Sequence, residues 1–261
     1  MSDFEQRLND LDRTLFDAIP AQLDNADKVS LLAIQAAVRS LRDCYVYLEI
    51  GSHLGGSLQP HLLDRSCKYI YSIDKRPLRQ ADARGRAAHY PENSTSRMMD
   101  NLSRVDAVQS SKITCFDSDA SSVEPAQLSG GSPSVCFVDG EHTDHAVQSD
   151  FDFCFRVMAQ SGMVCFHDAL IVFRGLNEIV SRLRRDGVVF KAYVLPLCIF
   201  VIEIGDFPIH RDPRILRMLT NNHTSYLPSL MAFSAYRDFY SWPPFEWARK
   251  AVRTVMGRRL S

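Results

Sequence analysis

The sequence lacks the marks of a secreted, disulfide-stabilised or membrane-spanning protein. Its seven cysteines are odd in number and form no CxxC pair, so we expect reduced thiols, not a disulfide framework or a zinc site. The initial stretch MSDFEQRLNDLDRTLF is charged throughout, unlike a signal peptide. The most apolar segment, 188–204, is interrupted by Lys191 and Pro196, which leaves its apolar runs too short to cross a bilayer. These absences predict a cytoplasmic protein without a transmembrane helix.

An excess of charge of either sign is also absent. The 30 Lys and Arg residues and 31 Asp and Glu residues give a net charge of −1. This balance provides no general basic field for nucleic acid, and we expect none as a partner. Hydrophobic residues make up 46% of the 261 positions, which is enough for a large core.

The region from Gly205 onward departs from this balance, with 9 basic and 4 acidic residues. Its last part, SWPPFEWARKAVRTVMGRRL, mixes aromatic and basic side chains. A helix of this composition can lie on an anionic membrane surface. More often, such a helix packs against its own domain or against a second copy of the chain in a homodimer. The sequence leaves these alternatives open.

Short β-rich apolar runs alternate with longer helical patterns, as in βαβ units around a mostly parallel sheet. Only Pro196 and Leu197 separate the last two predicted strands, so these strands must pair as an antiparallel hairpin. The expected fold class is α/β: a Rossmann-like, seven-stranded, mostly parallel sheet with a terminal antiparallel hairpin and helices on both faces. The predicted strands are Tyr45–Ile50, Tyr69–Asp74, Ile113–Phe116, Val135–Asp139, Met163–His167, Val188–Leu195 and Cys198–Ile204.

We expect three parts along the chain: an N-terminal helical extension over 1–43, a central domain over 44–205, and a basic C-terminal extension over 206–261. Two helical patterns, at 4–19 and 28–42, precede the first strand. Strand character is lost from Asp206 onward.

A glycine-containing turn follows the first predicted strand. The run YVYLEIGSHLGGSL puts Glu49 at the end of that strand and then Gly51, Gly55 and Ser57. Glycines at this point let the backbone approach a ligand closely. The spacing is G-x-x-x-G and not the G-x-G-x-x-G of dinucleotide sites, which disfavours NAD and FAD. Asp74 ends the second strand, where a carboxylate can accept both hydroxyls of a ribose. Turn and acid together indicate an adenosine-containing ligand, although glycines alone would equally serve a tight turn.

Acids and histidines follow the fourth and fifth predicted strands. The segment VDGEHTDHA contains Asp139, and GMVCFHDA contains His167 and Asp168. Because the carboxyl ends of neighbouring parallel strands lie side by side, we expect these groups on one rim with Gly51 and Asp74. This rim is the candidate active site, where a base, a metal ion or both could deprotonate a hydroxyl. The alternative is that the acids cap helices and the histidines are ordinary surface residues.

The run EIGSHLGGS, with Asp74 closing the next strand, resembles the cofactor motif of the class I S-adenosylmethionine-dependent methyltransferases, and most of all their small-molecule O-methyltransferases. The resemblance covers 45–205. It implies that the turn holds the methionine part of S-adenosylmethionine, the second-strand acid the ribose, and a third-strand acid the adenine. Of Asp117 and Asp119, the second fits the family spacing better. The cofactor-binding residues implied are Glu49, Gly51, Ser52, His53, Gly55, Ser57, Asp74, Asp119 and Ala120.

The segments VDGEHTDHA and GMVCFHDA are similar to those of macrocin-type and other glycan or natural-product O-methyltransferases, some of them metal-dependent. The resemblance implies that Asp139 and Asp168 hold a magnesium-type cation. Comparison with the catechol-type enzymes implies that His142, three residues beyond Asp139, is the catalytic base, with Asp139 beside it. Those enzymes follow the second acid with another oxygen ligand, whereas this chain has Ala169.

The primary hypothesis is therefore a cytosolic S-adenosylmethionine-dependent O-methyltransferase acting on a hydroxyl of a small molecule or glycan, with Mg²⁺ as a candidate second cofactor. A hydroxylase-like reaction on the same scaffold is one alternative, because this branch is similar to proteins called cephalosporin hydroxylases. A non-catalytic, cofactor-binding scaffold protein is the other.

Overall fold

The computed structural model describes residues 2–219, 221–241 and 247. Ten strands are found in this part of the chain, and they form two sheets. The strands are β1 (Tyr45–Ile50), β2 (Cys67–Ile73), β3 (Arg79–Ala81), β4 (Ala87–His89), β5 (Ile113–Phe116), β6 (Val135–Val138), β7 (Gly162–Phe166), β8 (Phe190–Val194), β9 (Phe200–Ile204) and β10 (Asn221–Asn222).

The central sheet has the strand order β10-β8-β9-β7-β6-β1-β2-β5. β1 pairs in parallel with β2 and β6, β2 with β5, and β6 with β7. β9 runs antiparallel to both β7 and β8. The predicted fold class is therefore confirmed, and each of the seven predicted strands ends within two residues of the observed one.

The strand order reverses between β1 and β6. From β1 the chain builds outward through β2 to β5, and it then returns to β6 on the other side of β1. In open α/β sheets a crevice forms at such a reversal, outside the carboxyl ends of the strands. The fold thus places a binding crevice where the glycine turn after β1 meets the acids after β2, β6 and β7.

Eight α-helices lie in the described part of the chain and cover both faces of the sheet. The face that carries Tyr47 packs against the buried side of the N-terminal helices, and the opposite face, which carries Leu48, packs against Phe151 and Leu176. This division follows from the alternation of side chains along β1. The helices are α1 (Asp3–Asn9), α2 (Asn25–Leu41), α3 (Gln59–Leu63), α4 (Thr95–Val105), α5 (Asp144–Val157), α6 (Phe173–Arg185), α7 (Pro213–Met218) and α8 (His223–Ser241).

Three local features differ from the sequence-based expectations. The first helical pattern breaks after α1, because Leu11 adopts a positive φ of 53° and a short 3₁₀ turn follows at Arg13–Phe16. β3 and β4 form a hairpin between β2 and α4 that has no apolar alternation to reveal it. β10 lies beyond Asp206, where no strand was expected, and its two polar residues pair with the edge of β8.

Within the described residues, no helix has both the length and the apolarity needed to cross a membrane. All seven cysteines are free thiols, and five of them are buried. The basic segment for which membrane or dimer contact was considered falls outside the described residues, apart from the end of α8 and the exposed Trp247.

Candidate active site

A cavity of about 370 Å³ opens at the carboxyl ends of β1, β2, β6 and β7. Ten of the twelve residues predicted for cofactor, metal or catalysis line it. This convergence follows from the parallel sheet, which brings to one rim residues that lie far apart in the chain. The ten are Gly51, Ser52, His53, Ser57, Asp74, Ala120, Asp119, Asp139, His142 and Asp168.

Gly51 makes the turn after β1 possible. Its φ is +94°, and a Cβ at this position would lie 2.1 Å from the backbone oxygen of Asp139. Its N–H donates to the carbonyl oxygen of Ile73 at 2.8 Å. Any side chain here would separate the end of β1 from that of β6, so the glycine sets the width of the cavity floor.

Glu49 and Gly55 lie outside the cavity wall. Glu49 is fully buried, and its carboxylate accepts hydrogen bonds from Ser57 Oγ at 2.5 Å and from Tyr47 Oη at 2.6 Å. Burial raises the pKa of Glu49 to about 8. The position that a Cβ would take on Gly55 lies against Met98 of α4. Glu49 is therefore connected to the cavity through Ser57, and Gly55 lets α4 approach the turn.

Asp74 lies at the rim directly after β2 and is held by the backbone. Its Oδ2 accepts the N–H of His53 at 2.8 Å, and its Oδ1 accepts the N–H of Arg76 at 2.7 Å. A carboxylate can accept about four hydrogen bonds. Three are made within the chain, the third from Arg76 Nη1 to Oδ2 at 3.4 Å. The carboxylate therefore keeps capacity for one further donor from the cavity.

Lys75 lines the cavity, although the sequence analysis did not predict it as a site residue. It connects an acid that follows β5 to an acid that follows β6. Lys75 Nζ lies 2.9 Å from Asp119 Oδ1 and 2.8 Å from Glu141 Oε2. These hydrogen bonds, chiefly the one to Glu141, raise the pKa of Lys75 above its ordinary value. Asp117, the other acid considered at this strand end, bonds instead to Arg76 and Thr95.

Asp150 on α5 is a second residue that the sequence analysis missed. Its side chain lines the cavity although the residue is only 9% exposed. It accepts no hydrogen bond from the side chains or backbone of the described residues, and burial raises the pKa of its carboxyl to about 7. Burying an acid without a hydrogen-bond partner costs free energy of folding. A hydrogen-bond donor bound in the cavity would offset this cost.

The predicted acids and histidines meet at the other end of the cavity. The His142 ring lies between two carboxylates, with Nε2 3.3 Å from Asp139 Oδ1 and Nδ1 3.3 Å from Asp168 Oδ2. His167 Nδ1 lies 3.1 Å from the same Asp139 oxygen. His167 Nε2 lies 3.4 Å from Oδ2 of Asp27 on α2, a residue that the sequence analysis did not connect with the site.

Burial alone would lower the pKa of His142, but Asp139 and Asp168 outweigh it and raise the pKa above its ordinary value. Burial likewise opposes ionisation of Asp139 and Asp168, yet the neighbouring histidines hold the pKa of both carboxyls below the ordinary range. The cluster is thus a set of ionised carboxylates around imidazole rings.

Comparisons with known proteins concern the family of one segment and the fold. Residues 48–169 match the family model described as a methyltransferase domain. No curated protein sequence matches the chain.

Solved structures share the fold. A candidate O-methyltransferase from Klebsiella pneumoniae has a TM-score of 0.50 at 13% identity, covering 79% of this chain and 91% of its own. The TDP-rhamnose 3′-O-methyltransferase CalS11, an enzyme in calicheamicin biosynthesis, has a TM-score of 0.50 at 14% identity, covering 78% and 94%. The cofactor-bound Rv0187 from MTB has a TM-score of 0.50 at 10% identity, covering 76% and 89%.

This chain therefore shares its fold with solved methyltransferase structures. The segment 48–169, a little under half of the chain, matches the methyltransferase domain family. The resemblance that the turn sequence indicated is therefore confirmed.

Proposed function

We propose that the protein transfers the methyl group of S-adenosylmethionine to a hydroxyl of a small molecule or sugar. One observation carries this proposal. The turn at Gly51 and the carboxylate of Asp74 share a single cavity with the cluster formed by Asp139, His142 and Asp168. A donor site and a proton-accepting site are thus adjacent, as a transfer between two bound molecules requires.

The cofactor end of the cavity fits the parts of an adenosyl group. Asp74 has acceptor capacity for ribose hydroxyls, and the turn over 51–53 would lie against the methionine part. Asp119 and Ala120 would flank the adenine, and Asp150 would accept a hydrogen bond from its exocyclic amino group. Glu49 would act indirectly, by fixing the hydroxyl of Ser57 at the cavity wall.

S-adenosylmethionine, when bound, supplies an activated methyl group on a sulfonium. The residues of this chain must align an acceptor oxygen with that carbon and take up the hydroxyl proton as the bond to oxygen forms. The sequence-based hypothesis makes His142 the base that takes this proton, with Asp139 beside it. Because the pKa of His142 is raised, its ring must first lose a proton in order to act as this base.

Magnesium does not fit the arrangement of donors. It requires oxygen ligands in near-octahedral geometry. Asp139 and Asp168 offer carboxylate oxygens, but the ring of His142 lies between them, with one nitrogen 3.3 Å from each. The nearest charged partners of these oxygens are nitrogens, so no step of the proposed reaction runs through magnesium.

The test is calorimetric titration with S-adenosylhomocysteine, followed by mass spectrometry of hydroxylated small molecules and sugars incubated with the enzyme and S-adenosylmethionine. We expect saturable binding and a product heavier by one CH₂ group. Absence of binding would overturn the proposal. A product heavier by one oxygen would indicate hydroxylation, and cofactor binding without any product would indicate a scaffold.

The proposal also includes a cytoplasmic location, no nucleic acid partner and the three-part division at 43/44 and 205/206. The small-molecule or glycan acceptor would enter on the side of the cavity that Tyr90 and Gln80 line. Analytical ultracentrifugation of the full chain tests whether the protein forms a homodimer.

A further inference from the structure

Three side chains at the rim present ligand atoms to one point. Asp139 Oδ1 lies 3.3 Å from His142 Nε2 and 3.1 Å from His167 Nδ1, and atoms of all three residues lie within 4.8 Å of one another. Two ligands bound about 2.1 Å from one ion at a right angle are about 3.0 Å apart. The spacing therefore suits three adjacent ligands of a single metal ion.

The other ring nitrogen of each histidine faces a carboxylate. His142 Nδ1 lies 3.3 Å from Asp168 Oδ2, and His167 Nε2 lies 3.4 Å from Asp27 Oδ2. Metal-binding histidines usually donate their second N–H to a carboxylate or carbonyl, which fixes the ring and its tautomer. Both histidines have this arrangement, and in both the remaining nitrogen points toward Asp139.

His167 Nδ1 is a buried atom without a hydrogen bond in the described part of the chain, although it lies 3.1 Å from Asp139 Oδ1. An orphaned buried nitrogen normally costs stability. The acid behind the ring is held firmly: Asp27 is 2% exposed, and it accepts the backbone N–H of Asp24 at 3.3 Å and the thiol of Cys198 at 3.5 Å. The fold thus maintains the orientation of a ring whose inward nitrogen faces the carboxylates of Asp139 and Asp168, at 3.1 and 3.6 Å, without a well-directed hydrogen bond.

We propose that Asp139 Oδ1, His142 Nε2 and His167 Nδ1 bind a divalent first-row transition metal, such as Mn²⁺, Fe²⁺, Co²⁺ or Zn²⁺, and that Asp168 and Asp27 orient the two imidazoles. Two nitrogen donors and one carboxylate suit these ions, whereas magnesium takes oxygen ligands. This assignment differs from the resemblance, which makes Asp168 a direct ligand of a magnesium-type cation.

The assignment also changes the role of His142. A nitrogen bound to a metal cannot accept a proton, so in the metal-bound enzyme His142 is a ligand and not the base. The ion would take over the task of lowering the pKa of the acceptor hydroxyl. Metal binding therefore replaces the base mechanism of the sequence-based hypothesis and leaves the proposed methyl transfer unchanged.

The first experiment measures the metals directly, on the full chain after treatment with a chelator and without S-adenosylmethionine. Titrations with Co²⁺, Zn²⁺, Mn²⁺ and Mg²⁺ should show Co²⁺ and Zn²⁺ bound at least about tenfold more tightly than Mg²⁺. Pulsed electron paramagnetic resonance of the Mn²⁺ form should show coupling to imidazole nitrogen. Equal or tighter binding of Mg²⁺, or Mn²⁺ bound without nitrogen coupling, would overturn the proposal.

Variants then identify the ligands. His167→Asp replaces a nitrogen by oxygen and should weaken Co²⁺ binding at least about tenfold while improving the affinity for Mg²⁺ relative to Co²⁺. Asp27→Asn keeps every ligand but loses the carboxylate behind His167, and should weaken Co²⁺ binding about 10- to 100-fold. His145→Gln is the matched control, because His145 lines the same cavity outside the three ligands, and its affinity should equal that of the wild type.

Thermal unfolding of each variant without metal separates a lost ligand from a lost fold. Affinities of His167→Asp and Asp27→Asn that match the wild type would contradict the assignment. Binding of S-adenosylhomocysteine, measured in parallel without metal, tests the proposed function separately. The proposal of the metal site and the proposal of the methyl donor site can therefore be refuted independently.

Discussion

A Cβ on Gly51 would lie 2.1 Å from the backbone oxygen of Asp139, so the turn after β1 and the end of β6 are in contact through a glycine that cannot be replaced without movement. This contact joins the proposed donor end of the cavity to the acid cluster. The width of the cavity therefore depends on one backbone approach that involves no side chain.

Gly51→Ala should both destabilise the protein and weaken binding of S-adenosylhomocysteine. The positive φ alone costs an alanine about 1–2 kcal/mol, and the overlap with Asp139 adds to it. Gly85→Ala is the control, because Gly85 also has a positive φ of 74° but open space around it. Urea unfolding should show a clearly larger loss for Gly51→Ala. Equal losses of stability in the two variants would mean that the positive φ, and not the close approach of the Asp139 backbone, accounts for the glycine at position 51.

Asp74→Asn should weaken binding of S-adenosylhomocysteine about 10- to 100-fold, because hydrogen bonds to a charged group contribute about 1.5–3 kcal/mol. Asp117→Asn is the matched control: it follows the neighbouring strand β5 but bonds to Arg76 and Thr95 outside the cavity. Calorimetric titration of both variants makes the comparison. If the Asp117 variant lost as much affinity as the Asp74 variant, the ribose assignment would fail.

The fold was predictable because its signal is local. The apolar runs that became β1, β5 and β6 stand out against their flanking residues, and a two-residue separation forces β8 and β9 to pair antiparallel. β3, β4 and β10 were missed because they are short and polar. Because parallel strands place their carboxyl ends side by side, the predicted strand ends also placed Asp74, Asp139 and Asp168 at one rim.

The rest of the site depends on packing that no local pattern encodes. Asp27 reaches His167 from α2, 140 positions earlier in the chain, and Asp150 reaches the cavity from the inner face of α5. The position of Glu49 outside the cavity could have been predicted from the sequence. It is two residues from Tyr47, so the alternation along β1 puts both side chains on the same face of the sheet, behind the cavity wall.

The hydrogen bond between Ser57 and Glu49 should contribute measurably to the free energy of unfolding. Ser57→Ala leaves the buried Glu49 carboxyl with Tyr47 as its remaining side-chain partner, and a lost partner at a buried group costs about 1–3 kcal/mol. Adding Glu49→Gln to Ser57→Ala should give a smaller loss than the sum of the two single changes. Urea unfolding of the three variants closes this cycle, and strictly additive losses would show that the two side chains are not coupled.

Asp150 should make the stability of the protein fall with rising pH. Burial raises the pKa of its carboxyl to about 7 in the folded chain, above the ordinary value of 3.8. Between these values the folded state holds a proton that the unfolded state has released, so the stabilising contribution is present below about pH 4 and is lost as the pH rises through about 7.

Asp150→Asn removes this dependence, because an amide does not ionise. Relative to the wild type, the variant should gain stability progressively from about pH 4 to pH 7 and then hold the gain, with an upper bound of about 4 kcal/mol. Asp152→Asn on the same helix is the control, since Asp152 is exposed and paired with Arg182. Urea unfolding across this pH range measures both variants. A difference between Asp150→Asn and wild type that stayed constant with pH would show that the carboxyl titrates normally, and the cavity would then lack the buried acid proposed to bind the adenine amino group.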